Sequence, residues 1–225
     1  MKKIVTAAVL LSAASLSFAA APSLVSANNS GAYFGIGAGF GGMNTPKLSS
    51  ADKALGNGSY SEHLRGFAAR PYAGYLWANN NWRYGVEAGY LYYPENKYTW
   101  DAGTNKSTLK YNGYAIDLLG VGKYVFDNGF NVFAKAGAAY TYQKTKFTNN
   151  MGTALGSFSK SETKVLPELA GGVGYDFNQN FGMDVTLAHL FGNNPKNLSK
   201  ATQKSDLTRV ADVNTIMLGF TYHFA

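Results

Sequence analysis

The sequence predicts an all-β chain, an eight-stranded antiparallel transmembrane β-barrel with up-and-down meander connections. Three observations lead there. From Ala32 to the C-terminus, alternate residues sort into an apolar, aromatic set and a small or polar set, the two-residue period of strand faces. The apolar set is too large to be housed inside a small protein. Short turns and long polar stretches then alternate along the chain, which gathers every short turn at one end of an even-stranded barrel. Composition agrees: 16 Tyr, 14 Phe and 26 Gly accompany only 15% charged residues, against roughly 25% in soluble domains.

Met1 to Ala27 reads as a secretory signal, and residues 28–225 as the barrel. Lys2 and Lys3 supply the positive start, Ile4 to Phe18 the apolar middle, and Val25-Ser26-Ala27 the small-residue cleavage site. No apolar run of about 18 residues follows it, so any crossing of a membrane is made by strands. The chain has no cysteine, which excludes disulfides, thiol nucleophiles and thiolate metal sites. Loss of Lys2 and Lys3 takes the formal charge from +7 to +5. So small an excess, spread over loops, gives no reason to expect nucleic acid and suits an anionic lipopolysaccharide surface.

The strands follow in order. Ala32–Phe40 puts Phe34, Ile36 and Phe40 on one face and Tyr33, Gly35, Gly37 and Gly39 on the other, where space is short. Gly41–His63 reads as a long loop. Gly66–Trp77 faces Phe67 and Tyr75 outward and Arg70 and Tyr72 inward, and Ala78-Asn79-Asn80-Asn81 turns tightly into a strand beginning at Trp82. There Tyr84, Val86, Tyr90 and Tyr92 face out, and Arg83 and Glu87 face in. Pro94–Ser107 reads as a polar loop. Tyr114–Phe126 sends Ile116 and Leu118 out and Asp117 and Lys123 in, and Asp127-Asn128-Gly129 is a hairpin signal. The strand from Phe130 carries Lys135 inward, and Lys144–Thr163 reads as a third loop. Val165–Phe177 carries Glu168 inward, Asn178-Gln179-Asn180 turns the chain, and the strand from Phe181 carries Asp184 inward. Gly192–Asp212 is the fourth loop before the last strand, Val213–Phe224. Pro71 and Pro167 each remove a ladder donor, so a bulge or an unpaired acceptor is expected beside each. Trp77, Trp82, Tyr92, Phe126, Phe130, Phe177, Phe181 and Phe224 fall at strand ends, as an interfacial girdle requires.

Inward positions carry Arg70, Arg83, Lys123 and Lys135 against Glu87, Asp117, Glu168 and Asp184. Eight-stranded barrels leave room only for side chains, and buried charges persist when paired. A plugged lumen crossed by ion pairs is expected, with a static polar core as its role and a narrow ion path as the alternative.

From about Ser30 to Phe224 the chain resembles the small opacity-protein and OmpA-type transmembrane barrel families. The carriers are Tyr84 to Tyr90, Ile116 to Gly120, Phe133 to Tyr140, and the terminal Gly219-Phe220-Thr221-Tyr222-His223-Phe224. That last stretch is similar to the C-terminal assembly signal of bacterial outer-membrane barrels, with Gly219, Tyr222 and Phe224 as its key positions, although Ala225 follows the final aromatic. The resemblance implies a monomer in a Gram-negative outer membrane, inserted by the barrel-assembly machinery. Its loops are then extracellular and its termini periplasmic. It further implies contacts with outer-membrane lipid and lipopolysaccharide, an envelope-supporting role, and host or matrix ligands met by the loops. A lipid A-modifying enzyme is a weaker alternative. The three histidines are His63, His189 and His223; Ser61-Glu62-His63 lies in a loop, and His189-Leu190-Phe191 lacks the following Ser that a His/Ser deacylase pattern needs. No catalytic residue, metal site or cofactor is expected.

Overall fold

A computed structural model describes residues 30–45, 59–103, 105–150, 156–196, 201 and 203–224. The expected signal, Met1–Ala27, lies outside them. Nine strands form one antiparallel sheet: β1 Gly31–Met43, β2 Ser59–His63, β3 Gly66–Asn79, β4 Trp82–Ala102, β5 Asn105–Val125, β6 Phe130–Thr148, β7 Phe158–Asp176, β8 Phe181–Leu190 and β9 Val213–His223. Eight of them close a ring, each pairing with the next in sequence and β9 returning to β1, while short β2 adds to β4 beyond the reach of β3. Within the ring closure leaves no exposed edge, the condition for a sheet to stand in hydrocarbon.

The expected faces hold. Phe34, Ile36, Val86, Ile116, Leu118, Leu187 and Phe220 stand exposed outside, whereas Arg70, Glu87, Asp117 and Glu168 are buried within. Aromatic rings ring the short-turn end, with Trp82 against Tyr124, Phe126 against Phe130 and Phe181 against Tyr222. A second set, Tyr90, Tyr114 and Tyr142, stacks across three strands higher up. Trp82 to Tyr92 is ten residue steps along β4, about 33 Å of strand and, at the usual tilt, about 25 Å of height, the span of an apolar belt.

The three short turns form as their residues dictate. Asn80 takes a left-handed φ of 55° between the paired Asn79 and Trp82, a conformation Asn tolerates. Gly129, at φ 84°, closes the β5–β6 turn, and the Asn178 carboxamide accepts from the amides of Asn180 and Phe181.

The long connections differ from expectation. Among the described residues, much of what reads as polar loop in the first three of these stretches is ladder: β4 runs on to Ala102, β5 begins at Asn105, β6 continues to Thr148, β7 starts at Phe158, and Ser59–His63 is strand. Lys, Thr, Asn and Ser spread over both faces mask the two-residue period there. The proline expectation is corrected for the bulge, while a gap in pairing does stand beside Pro71. Register is unbroken across Pro71 and Pro167; β3–β4 pairing merely skips from Ala69 to Tyr72, and the Pro167 carbonyl still accepts from Phe191 where β8 ends. The register shift falls instead between Tyr93 and Asn96, at Pro94-Glu95. A proline is absorbed without a bulge where its missing N–H faces a gap or the end of a ladder.

Candidate functional site

Two clusters fill the inner wall. In the first, Glu87 receives three donors: Arg70 Nη1 at 2.7 Å, Lys135 Nζ at 2.8 Å and the Tyr33 hydroxyl at 2.8 Å. Arg70 also grips Asp117 through Nε, at 2.9 Å, and Nη2. This fork needs backbone space. A Cβ on Gly89 would sit 2.6 Å from the guanidinium, so only glycine fits there. Lys135 further lies over the rings of Tyr72 and Phe133, at 5.0 and 5.2 Å. Five strands, β1 and β3 to β6, are thus tied through the Glu87 carboxylate and the Arg70 guanidinium. Buried charges of this kind persist because each is answered by another and by hydrogen bonds.

The second cluster lies nearer the short turns. Lys123 donates to Asp176 at 3.0 Å, and Asp184 accepts from Thr186 Oγ1 at 2.6 Å. A Cβ on Gly219 would come within 2.5 Å of the Asp184 carboxylate, which gives this glycine a packing reason of its own. Tyr72 reaches across β1 to Thr221 of β9 at 2.8 Å. Two small voids interrupt the packing, about 40 Å³ beside Lys123, Asp176 and His223 and about 20 Å³ beside Arg70 and Glu168. Each has room for only one or a few waters.

Above the stacked tyrosines the inner wall changes character. Tyr93, Tyr98, Trp100, Leu109, Tyr111 and Phe147 are buried together, and Leu207 and Ala211 of the β8–β9 connection fold in from the rim to meet them. A helical turn, Lys204–Leu207, presents Leu207. Gln143 fastens this connection with both ends of its amide: Nε2 donates to the Arg209 carbonyl at 2.8 Å, and Oε1 accepts from the Ala211 amide at 3.0 Å. Asp206 takes Lys196 and Arg209 at 3.0 and 3.2 Å. Thr45 and Tyr98 share a hydrogen bond of 2.6 Å, and burial pushes the Tyr98 hydroxyl up to about 12. The mouth is therefore capped by an apolar core.

The sequence model for the outer membrane protein beta-barrel domain matches residues 7–224. The chain belongs to this family. It is 28% identical to an uncharacterized protein of Coxiella burnetii, over 88% of this chain and 87% of that one. Among solved structures, the outer membrane protein OprG of Pseudomonas aeruginosa is 17% identical with a TM-score of 0.50, covering 88% of this chain and 98% of that one. Ail, the attachment invasion locus protein of Yersinia pestis, solved in complex with the heparin analogue sucrose octasulfate, is 18% identical with a TM-score of 0.46, covering 87% of this chain and 99% of that one. The outer-membrane barrel expected from the sequence is the fold and the setting of this chain.

Within this family barrel all eight charges expected inside do line the inner wall, but they do not sort into four pairs. Arg83, Glu168 and Asp184 have no ion-pair partner among the described residues, and Arg83 Nε and Glu168 Oε2 have no hydrogen-bond partner there. Periodicity assigns a face, whereas pairing depends on shear and side-chain reach, which one strand read alone does not contain. Asp176, the partner of Lys123, escaped the sequence reading. Its parity with Glu168 and Gly174 marks it as inward, but it stands at the turn. Tyr222 and Phe224 face outward in the girdle, with ring centroids 5.1 Å apart.

The histidines are dispersed. His63 is exposed on β2, with Ser61 on its own face and Glu62 on the other, held by the Tyr60 hydroxyl. His189 Nδ1 lies 2.7 Å from Asn214 Oδ1 with its ring against Phe191, and His223 points into the lower void. Among the described residues no group of three or more His, Asp or Glu is arranged to hold a metal ion.

Proposed function

We propose that this outer membrane barrel is a static, monomeric, non-catalytic surface scaffold that supports the envelope. In this reading its long hairpins stand outside the cell to meet host or matrix ligands, its termini lie in the periplasm, and the inner charges are a structural core. The observation that carries the reading is the capped mouth. Leu207 and Ala211 close over Tyr98, Trp100 and Phe147, and beneath them Arg70, Glu87, Asp117 and Lys135 cross-link the walls. Opening a path through such an interior would strip partners from charges already out of water, at a cost of about 3–5 kcal/mol for each broken pair. That argues against the narrow ion or solute channel. The described histidines are scattered over β2, β8 and β9 and share no common site, which argues against lipid A chemistry. The hairpins rise on a rigid ladder, the arrangement that suits recognition at loop tips.

Three measurements test the reading. In planar bilayers the purified barrel should give no conductance steps above background, and regular steps would overturn the scaffold assignment. On intact cells, added protease should cut the β4–β5 tip near Gly103 and leave the belt segments protected. Deleting residues 102–105 at that tip should lower adhesion to epithelium or matrix with the barrel still folded. If no hairpin deletion changes adhesion, the envelope role alone remains.

A further inference from the structure

Directly paired residues of a sheet share a face. The register sets His63, Lys97, Lys110, Lys146 and Ser159 in one continuous row across β2, β4, β5, β6 and β7. The row faces outward, because its neighbours Tyr98, Leu109, Tyr111 and Phe147 are buried inward. Lys97 stands opposite Lys110, and Lys110 opposite Lys146, on strands about 4.8 Å apart. Like charges placed directly opposite destabilise a sheet. Lys110 is answered by Glu95 Oε1 at 3.0 Å, but Lys97, Lys146 and Lys144, one row lower, have no ion-pair partner among the described residues. Ordinary solvated surfaces intersperse the two signs; this one concentrates cations against their mutual repulsion.

Height identifies what answers them. Tyr92, Tyr114 and Tyr142 form the aromatic row at the top of the apolar belt, and Lys144 and Lys146 follow Tyr142 on the same face of β6. Four residues are about 13 Å of strand, or roughly 10 Å of height at the usual tilt. The ammonium groups therefore reach the plane where lipid headgroups meet water. On the opposite wall the strands stop short of this row, since β8 ends at Leu190 and β1 at Met43.

We propose that Lys97, Lys110, Lys144 and Lys146 form a docking row for the phosphate-bearing headgroups of the glycolipid in the adjoining leaflet. The row so binds one side of the barrel to its lipid surround. This rests on the surface-barrel reading only for which leaflet is met.

The test uses the full chain refolded into phosphatidylcholine vesicles with and without bisphosphorylated lipid A, gently extracted and weighed with its retained lipid by native mass spectrometry. Wild type should enrich lipid A over phosphatidylcholine, and K97Q/K110Q/K146Q should lose about tenfold of that enrichment, each lysine at a lipid surface contributing a several-fold preference. Equal enrichment in both would overturn the proposal. So would displacement of the lipid by soluble heparin at equal phosphate and sulfate content, which would assign the row to a dissolved polyanion. In phosphatidylcholine alone the variant should unfold at the same or a higher temperature than wild type, because repulsion is relieved; a lower one would show that the lysines support the fold and would contradict the site. Vesicle binding does not depend on which side of a cell the hairpins face. Failure here therefore leaves the scaffold reading standing, and buried hairpins on intact cells would overturn that reading alone.

Discussion

The lower and upper halves of this barrel are built from the same strands with opposite polarity. Below the tyrosine row, β5 points Asp117 and Lys123 inward and Ile116 and Leu118 outward; above it the same strand points Leu109 and Tyr111 inward and Lys110 and Asn112 outward. β6 repeats the exchange, from Lys135 inside and Val132 outside to Phe147 inside and Lys146 outside. β4 carries its bulge there, between Tyr93 and Asn96, but the β5–β6 ladder does not change at the boundary. The solvent does: hydrocarbon penalises exposed polar groups and is indifferent to apolar ones, whereas water drives apolar surface inward. The lower half is held by ion pairs around Glu87, the upper by ordinary apolar packing around Trp100 and Leu207.

Substitutions break that comparison in graded ways. The largest effect is expected for Glu87→Ala, which leaves Arg70 and Lys135 buried without their shared carboxylate. It should cost about 3–5 kcal/mol, read as a lower midpoint for urea unfolding from vesicles, with conductance unchanged. Next comes Leu118→Arg, which should lose about 2–4 kcal/mol by setting a charge against hydrocarbon. Its counterpart above the boundary, Lys146→Leu, should shift the same midpoint by less than about 0.5 kcal/mol, as surface changes do. Gln143→Ala should cost about 1–3 kcal/mol by orphaning the Arg209 carbonyl and the Ala211 amide. Hydrogen exchange should show that loss confined to the β8–β9 connection, with the belt strands still protected. Little or no loss is expected for Glu168→Gln. Its Oε2 has no partner, so a neutral amide of the same shape should leave the midpoint within about 1 kcal/mol or raise it. A loss as large as that of Glu87→Ala would mean that Glu168 belongs to the ion-pair core.

The contrast also explains what the sequence reveals and what it hides. In the belt the two faces differ as Ile116 differs from Asp117, so strands, turns, parity and girdle are legible from alternate residues. Above the belt the outer face is Lys, Asn, Ser and Thr, and the inner one mixes Tyr98, Trp100 and Phe147 with Thr145 and Gln143, which blurs the period and makes strand look like loop. The apolar cap was hidden for another reason. Leu207 and Ala211 sit in a segment otherwise full of Lys, Asn and Ser, and only the fold brings them to Trp100. The inner charges were legible as a set, because a charge on the apolar period's opposite face has one place to go. Their partners were not, because Arg70 reaches Glu87 and Asp117 across shear, and Asp176 stands beside a turn where parity is short-lived.

The central claim is that the solvent outside β5 changes between Tyr114 and Asn112. Spin labels placed singly at Leu118, Ile116, Tyr114, Asn112 and Lys110 in a lipid bilayer, relaxed by oxygen and by a water-soluble nickel chelate, measure this directly. Oxygen should dominate at Leu118 and Ile116 and the chelate at Asn112 and Lys110, with the crossover at the tyrosine. Equal access of the chelate to all five positions would contradict the account.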